Sequence, residues 1–531
     1  MMNRPAALFP MLVAVLLLAA CGRDAPAPAA EATHGAGEGS AHAGDIAWFS
    51  GSVDEAFASA RENRKPIFLY WGAAWCPPCN EIKATVFKSR EFIDRSRLFV
   101  PVYLDGDTDN AQALGEKFGV VGYPTMLVFS PDGDEITRIP GGIDIQAYAN
   151  VLDLTLARIE PVSTLLARVA DQGGRLTADE CRLTAYYSWE QNEKLLEGRD
   201  KQAVFGALAD ACPEASTVER SMLRMSALGA AVARSRDKEA PAPLTDQEKA
   251  AARSLVNAVL DDPQLVRANL YDVLISGARI TAAITDQGSD ERAALQAKFL
   301  AVIDRLAADE SLFTTERLYT AIGRIRFEQI DDPEKAVSKG LKDQIKVMVE
   351  RVDADTKDVY ERQTVINAAA AVLDAAGMKD RAKTLLLAEI DKSKEPYYFM
   401  VDLAGIEQEQ GNHDAAIDWL KRGYDASTGP ATRFQWGYYY VVGLLEMAPQ
   451  DVQRIQTETV NVVRELEKSH AFYQRPKGEL QRMEQKLLAW GDTPERKAAL
   501  AYIRKNVQEI CQKIPEQEAA RATCDGFLAT A

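Results

Sequence analysis

The chain has 531 residues, 47% of them hydrophobic and 26% charged, the balance of a soluble globular protein. At roughly 150 residues per domain this length predicts about two to four domains. A formal charge of −16 argues against nucleic acid or an anionic lipid surface as the main partner, because phosphate binding needs clustered Lys and Arg.

The first twenty residues stand apart. Arg4 precedes an apolar run from Ala6 to Ala20 that is shorter than the ~20 apolar residues needed to span a bilayer. Residues 1–20 are therefore expected to be a cleaved secretory signal. Leu18-Ala19-Ala20-Cys21 resembles the lipobox of bacterial lipoproteins. That resemblance implies that Cys21 becomes a lipidated N-terminus with several acyl chains, where a single chain anchors only marginally. Gly22 in place of Asp resembles lipoproteins sent on to the outer membrane, so the expected location is the periplasmic face of a membrane, the outer membrane favoured. A plain secreted protein cleaved nearby is the alternative. Residues 21–45, rich in Ala, Pro, Gly and Glu, predict a flexible tether; His34 and His42 within it read as solvated polar residues, with no metal site assigned.

From Ile46 the texture changes. Ser52 and Glu55 form a capping box before a helix ending near Asn63. Ile67 to Trp71 is an apolar run of strand length, followed by Cys76-Pro77-Pro78-Cys79 and a helical pattern to about Phe87. Leu98 to Leu104 predicts a second buried strand and Ala111 to Phe118 a short helix. Thr125–Phe129 and Ile136–Ile139 flank Pro131-Asp132-Gly133, the turn of a hairpin. Gly141-Gly142 breaks the pattern before a closing helix from Ile145 to Ile159. Alternation of strands and helices ending in a hairpin predicts an α/β domain over 46–160, a mixed central sheet with helices on both faces.

Residues 161–531 carry essentially no strand signal and predict an all-α region. Thr177 with Glu180 and Thr245 with Glu248 are capping boxes, and Thr493-Pro494 starts another helix. Leu295, Phe299, Val302 and Leu306, and Leu500, Ile503, Val507 and Ile510, keep helical spacing. Residues 235–244 predict an exposed loop. Gly377, Asp380 and Ala382 recur as Gly411, Asp414 and Ala416, an offset of 34. That is the period of tetratricopeptide repeats, so the region reads as a helical-repeat-like array with tetratricopeptide character over about 365–430.

Beside Cys21, six cysteines remain. Cys76 and Cys79 form a CxxC; the other four allow three pairings. Closeness in sequence favours Cys181–Cys212 and Cys511–Cys524, and an oxidising compartment disfavours four buried free thiols.

The CxxC follows a buried strand and opens a helix. There, unpaired N–H groups and the helix dipole favour the Cys76 thiolate, and Cys79 lies within disulfide reach on the same turn. Cys76 is the candidate attacking thiol and Cys79 the resolving one. Both prolines suit the first helical turn. The competing reading, half a zinc site, lacks a second pair or nearby His, so no metal and no cofactor is expected. An enzymatic role further requires that the pair be reachable from solvent.

Residues 47–160 resemble thioredoxins, most closely the thioredoxin-like periplasmic domain of DsbD and its small lipoprotein relatives. The resemblance rests on Lys65-Pro66, Trp75-Cys76-Pro77-Pro78-Cys79, Gly122-Tyr123-Pro124-Thr125 and Gly141-Gly142. It implies a thioredoxin fold in which Pro124 is cis beside the disulfide. Trp75, Pro77, Pro78, Tyr123, Pro124 and Thr125 then line the substrate groove, with Trp71 joining Trp75 at the rim or serving as core. Where thioredoxins usually carry a buried Asp, six residues before the first cysteine, this chain has Tyr70. Glu81, Lys83 and Tyr70 are candidates for proton transfer or thiolate tuning, the first two against a favoured reading as a solvated helix face. The aromatic clusters Tyr397-Tyr398-Phe399 and Trp436 with Tyr438-Tyr439-Tyr440 read as core before peptide groove. The implied activity is reduction or isomerisation of protein disulfides, with a membrane reductase of the DsbD type as a possible partner. The rival is a helical-repeat scaffold in which the thioredoxin-like module recognises partners.

Overall fold

The computed structural model describes residues 46–529 apart from 142–144, 158, 238–239, 468–471, 473 and 517. The expected signal, the Cys21 lipid site, the tether with its two histidines, and Gly142 lie outside the described residues. No helix among those described is long and apolar enough to cross a membrane.

The strand β1 (Ile67–Gly72) is buried along its whole length and occupies the middle of a four-stranded sheet. A strand covered on both faces has to be apolar throughout rather than alternating. It runs parallel to β2 (Val100–Asp105) and antiparallel to β3 (Thr125–Phe129), which pairs antiparallel with β4 (Glu135–Ile139). The order β2-β1-β3-β4 is mixed. Successive side chains of β1 point to opposite faces: Ile67, Leu69 and Trp71 join one core, Phe68 and Tyr70 the other. The first core is closed by α1 (Val53–Asn63) and α4 (Asp109–Phe118), the second by α2 (Pro77–Ala84), α3 (Arg90–Ser96) and α5 (Ile145–Leu156). Ser52 and Glu55 cap α1 reciprocally. The mixed sheet with helices on both faces is thus the predicted class.

Two details differ from the expectation. The second strand begins at Val100, not Leu98, because Leu98 and Phe99 donate back to Arg95 and Ser96 in the turn that ends α3, and Leu98 is exposed. Helix α3 has no strong apolar period in the sequence; its start is set locally by Ser89, whose hydroxyl accepts from the Phe92 N–H.

From Val162 to Gly526 the described chain is helical, with no strand. The second core of the sheet continues without a break into the first helices of this region, from Tyr148 and Leu152 through Leu165, Trp189 and Leu208 to Leu223. Further along, the helices Val359–Ala375 and Lys379–Ile390 form one hairpin, and Tyr397–Glu409 and His413–Ala426 the next. Their turns are superimposable in pattern. Gly377 and Gly411 have φ of 69° and 79°, and the residue after each donates five positions back, Met378 to Leu373 and Asn412 to Glu407, at 2.8 Å. This is a Schellman ending, which favours glycine at the left-handed position. Ala382, Leu386, Ala416 and Leu420 are all buried.

Candidate active site

The end of β1 delivers Ala73-Ala74-Trp75 into the N-terminus of α2, where Cys76 is the cap residue. The Cys79 N–H donates to the Cys76 sulfur at 3.2 Å, and the two cysteines form a disulfide with Cα atoms 5.2 Å apart. Pro77 and Pro78 fill the first positions of α2, where an N–H would have no helical partner. The Tyr123–Pro124 bond is cis. An added Cβ on Gly141 would stand 3.0 Å from the Pro124 ring, so a glycine there lets the chain pass close over it. Thr125 donates its hydroxyl to the Gly122 carbonyl at 2.5 Å, and the Tyr123 hydroxyl donates to the Gly106 carbonyl at 2.9 Å.

The pair is not open to solvent, contrary to what an exposed redox site requires. Cys76 is 2% and Cys79 0% exposed. The helical array covers them. From the helix Val359–Ala375, Gln363 donates to the Trp75 carbonyl at 2.9 Å and Thr364 donates to the Pro77 carbonyl at 2.6 Å. Asn80 donates to the Gln363 side-chain oxygen at 3.0 Å. Trp75 is held at both ends. Its indole N–H donates to Asp107 at 3.1 Å, and Asp107 also accepts from Thr432 at 2.7 Å. Its ring meets Trp436 edge-on at 5.3 Å and stacks on Tyr398 at 6.2 Å. Ala73, Trp75, Cys76 and Cys79 therefore share one apolar cluster with Tyr397, Phe434 and Trp436. The aromatic clusters are core, as read, but a core that closes over the CxxC.

Three single-residue expectations change. Trp71 is core, not rim: it is fully buried on the far face of the sheet and donates to the Ala111 carbonyl at 3.3 Å. Glu81 is not on a solvated face. Thr315 donates a hydroxyl hydrogen bond to its carboxylate, and enclosure, with the nearby Glu316 and Glu361 carboxylates, pushes it up from 4.5 to about 7. Lys83 is half-buried, its Nζ 5.7 Å above the Tyr103 ring and 5.9 Å above Tyr360, and burial lowers its pKa. Tyr70 sits behind the pair with its hydroxyl 3.5 Å from the Cys79 carbonyl. Burial, with Tyr103 and Tyr148 nearby, holds it far above the ordinary phenol range, so it is a neutral donor and not a base. Cys181 is bonded to Cys212 and Cys511 to Cys524 in the helical region. Among the described residues no group of three or more His, Cys, Asp or Glu could hold a metal ion.

Residues 53–155 match the model of a thioredoxin-like domain family. Thioredoxin H5 of Arabidopsis thaliana is 33% identical over 89 residues, which are 17% of this chain and 70% of that protein. The chain belongs to the thioredoxin family. The thiol:disulfide interchange proteins DsbD 1 of Pseudomonas aeruginosa and DsbD of Yersinia pestis are 32% and 31% identical, over 19% and 18% of this chain. The chain spans less than a fifth of those DsbD proteins, 18% and 17% of their lengths. The family accounts for residues around the CxxC, but Gln363, Thr364, Thr432 and Trp436, which enclose it, lie outside the matched segment. Trp436 shows in the sequence only as part of an aromatic cluster, and no signal marks Gln363, Thr364 or Thr432, ordinary helix residues nearly 300 positions or more from their partners.

Proposed function

We propose that this thioredoxin-family chain is a thiol–disulfide oxidoreductase acting on protein disulfides through Cys76 and Cys79. The observation that carries the reading is the cysteine pair at the first turn of α2, with the thiol-bearing Cys76 at the helix cap. In the reduced state the Cys76 thiolate attacks one sulfur of a substrate disulfide, forming a mixed disulfide and releasing the first substrate thiolate. The Cys79 thiolate then attacks the Cys76 sulfur, releasing the second substrate thiolate and closing the Cys76–Cys79 disulfide. Two electrons pass to the substrate, and a dithiol donor must return them. The helix dipole and the N–H of Cys79 stabilise sulfur charge on Cys76.

The likeness to DsbD proteins favours reduction or isomerisation over net oxidation, with a membrane reductase of that type as donor. The lipobox-like Leu18-Ala19-Ala20-Cys21 supports a lipid anchor and the periplasmic side of a membrane, and Gly22 the outer one. One observation favours the rival reading, a helical scaffold: the pair is sealed. Both readings meet the same test. In cells expressing full-length Cys79→Ala, an oxidoreductase accumulates mixed disulfides through Cys76 that mass spectrometry identifies and that Cys76→Ala abolishes. Absence of adducts, together with no reduction of a disulfide-linked peptide by the purified wild type, would sink the enzymatic reading in favour of the scaffold.

A further inference from the structure

We infer that the helical array is an intramolecular cover for the Cys76–Cys79 site, and that the chain turns over substrate only when this cover is released. The inference rests on the oxidoreductase reading above and adds a regulatory step to it.

Disulfide exchange needs a third sulfur to approach along the axis of the bond being broken. Sulfurs on residues 2% and 0% exposed offer no such path. Residues outside the thioredoxin-like domain close over the site. Gln363 and Thr364, neighbours on one helix turn, take the carbonyls of Trp75 and Pro77, the residues on either side of Cys76. Trp436 closes from above against the Trp75 ring. Farther out, Thr432 shares Asp107 with Trp75, Thr315 holds Glu81, and Lys88 pairs with Asp358 at 2.9 Å. A ring of hydrogen bonds, some to backbone carbonyls and some to the Asp107 and Glu81 carboxyl groups, and one exposed ion pair thus surrounds an aromatic centre.

Such a ring is suited to release. Its polar members regain water when the surfaces part, so opening exposes few groups that lack a partner, and exposed ion pairs hold weakly. The second core of the sheet, behind the site, is different. There the core runs apolar and unbroken from the sheet into the helices up to Leu223, so the two parts cannot simply dissociate. The first helices of the array are fixed to the domain through this core, and later helices close over the N-terminal end of α2. Arrays of stacked helices flex along their length because each unit contacts only its neighbours. Release therefore lifts the far part of the array from the site while the near part stays attached.

Two experiments on the full chain test this. In the first, the Gln363→Ala/Thr364→Ala variant and the wild type are reduced with dithiothreitol, and alkylation at Cys76 by iodoacetamide, in which the thiolate displaces iodide, is timed by mass spectrometry. Loss of three hydrogen bonds from the closed state predicts a reaction at least about tenfold faster in the variant, with a like gain in reduction of a disulfide-linked peptide. Equal rates in the two proteins overturn the cover. In the second, Lys88→Cys/Asp358→Cys is bridged by a short bis-maleimide while the Cys76–Cys79 disulfide shields both sulfurs. Bridged protein, once reduced, is expected to lose peptide-disulfide reduction, whereas the same variant capped with a single-headed maleimide keeps it. Full activity of the bridged protein overturns the cover. Reductase activity that neither manipulation changes leaves the oxidoreductase and removes the cover. Faster alkylation of the variant with no disulfide reduction by any form removes the oxidoreductase reading and leaves the cover.

Discussion

Replacing Glu81 by Gln should remove a specific part of the chain's pH dependence. Its carboxyl end is enclosed between α2 and the array, with Thr315 donating to it and Glu316 and Glu361 adding like charge. Its folded-state pKa is about 7 against an ordinary 4.5. The folded chain therefore keeps a proton that the unfolded chain releases. Stability from this group is complete below about pH 4.5 and falls as the pH rises through 7. At full ionisation the gap corresponds to about 3 kcal/mol, and between about pH 5.5 and 8 to about 2 kcal/mol. Gln is the neutral isostere of the protonated acid, so the variant lacks this loss. Burial also raises Asp402 to about 7 and Asp272 to about 6; both act in the same direction and are common to the two proteins, so the difference between wild type and variant isolates Glu81. Urea unfolding followed by tryptophan fluorescence is the assay. Glu81→Gln is expected to gain about 2 kcal/mol on the wild type on going from about pH 5.5 to 8. Parallel pH profiles for the two proteins would refute the enclosure of this carboxylate.

The two structural disulfides close loops of different length, with separations of 31 and 13 residues. Chain-entropy reasoning gives about 4 kcal/mol for Cys181–Cys212 and about 3 for Cys511–Cys524. Paired Cys→Ala variants should lower the urea midpoint in that order, and a larger loss from the shorter loop would contradict it. Gly437 lies where an added Cβ would come within 2.5 Å of Val462, while nothing stands within 4 Å of Gly206 inside the helix Lys201–Ala211. Gly437→Ala should cost about 1–3 kcal/mol by overpacking, and Gly206→Ala should stabilise by up to about 1 kcal/mol through helix propensity. Thermal melts with opposite signs of shift are the expected outcome.

Much of the fold can be read along the chain because its causes are local. Ser52 with Glu55, Thr177 with Glu180 and Thr245 with Glu248 are capping boxes in the structure as in the sequence. Ile67 to Trp71 has to be a central strand because no water-exposed strand tolerates five such residues in a row. The glycine pair Gly377 and Gly411 shows a repeat because both turns need the same left-handed residue. Helix α3 escaped because a single serine cap and a short apolar stretch carry it.

The state of the site is another matter, because it is decided by side chains that local reasoning treats as surface. Glu81 reads as a solvated helix residue from its neighbours alone; only the arrival of Thr315 and Glu316 from a distant helix encloses it. Trp75 reads as a rim residue and remains adjacent to the sulfurs, yet Trp436 and Tyr398 turn that rim into an interior. The CxxC motif specifies where electrons can be exchanged, since strand, cap and helix dipole are all built within a dozen residues. Whether a substrate can reach them depends on Gln363 and Thr364, whose types are unremarkable on a helix and acquire meaning only through the carbonyls they meet. Chemistry in this chain is thus encoded locally and access to it at long range, so substitutions that leave every residue of the matched 53–155 segment intact can still govern whether the dithiol works.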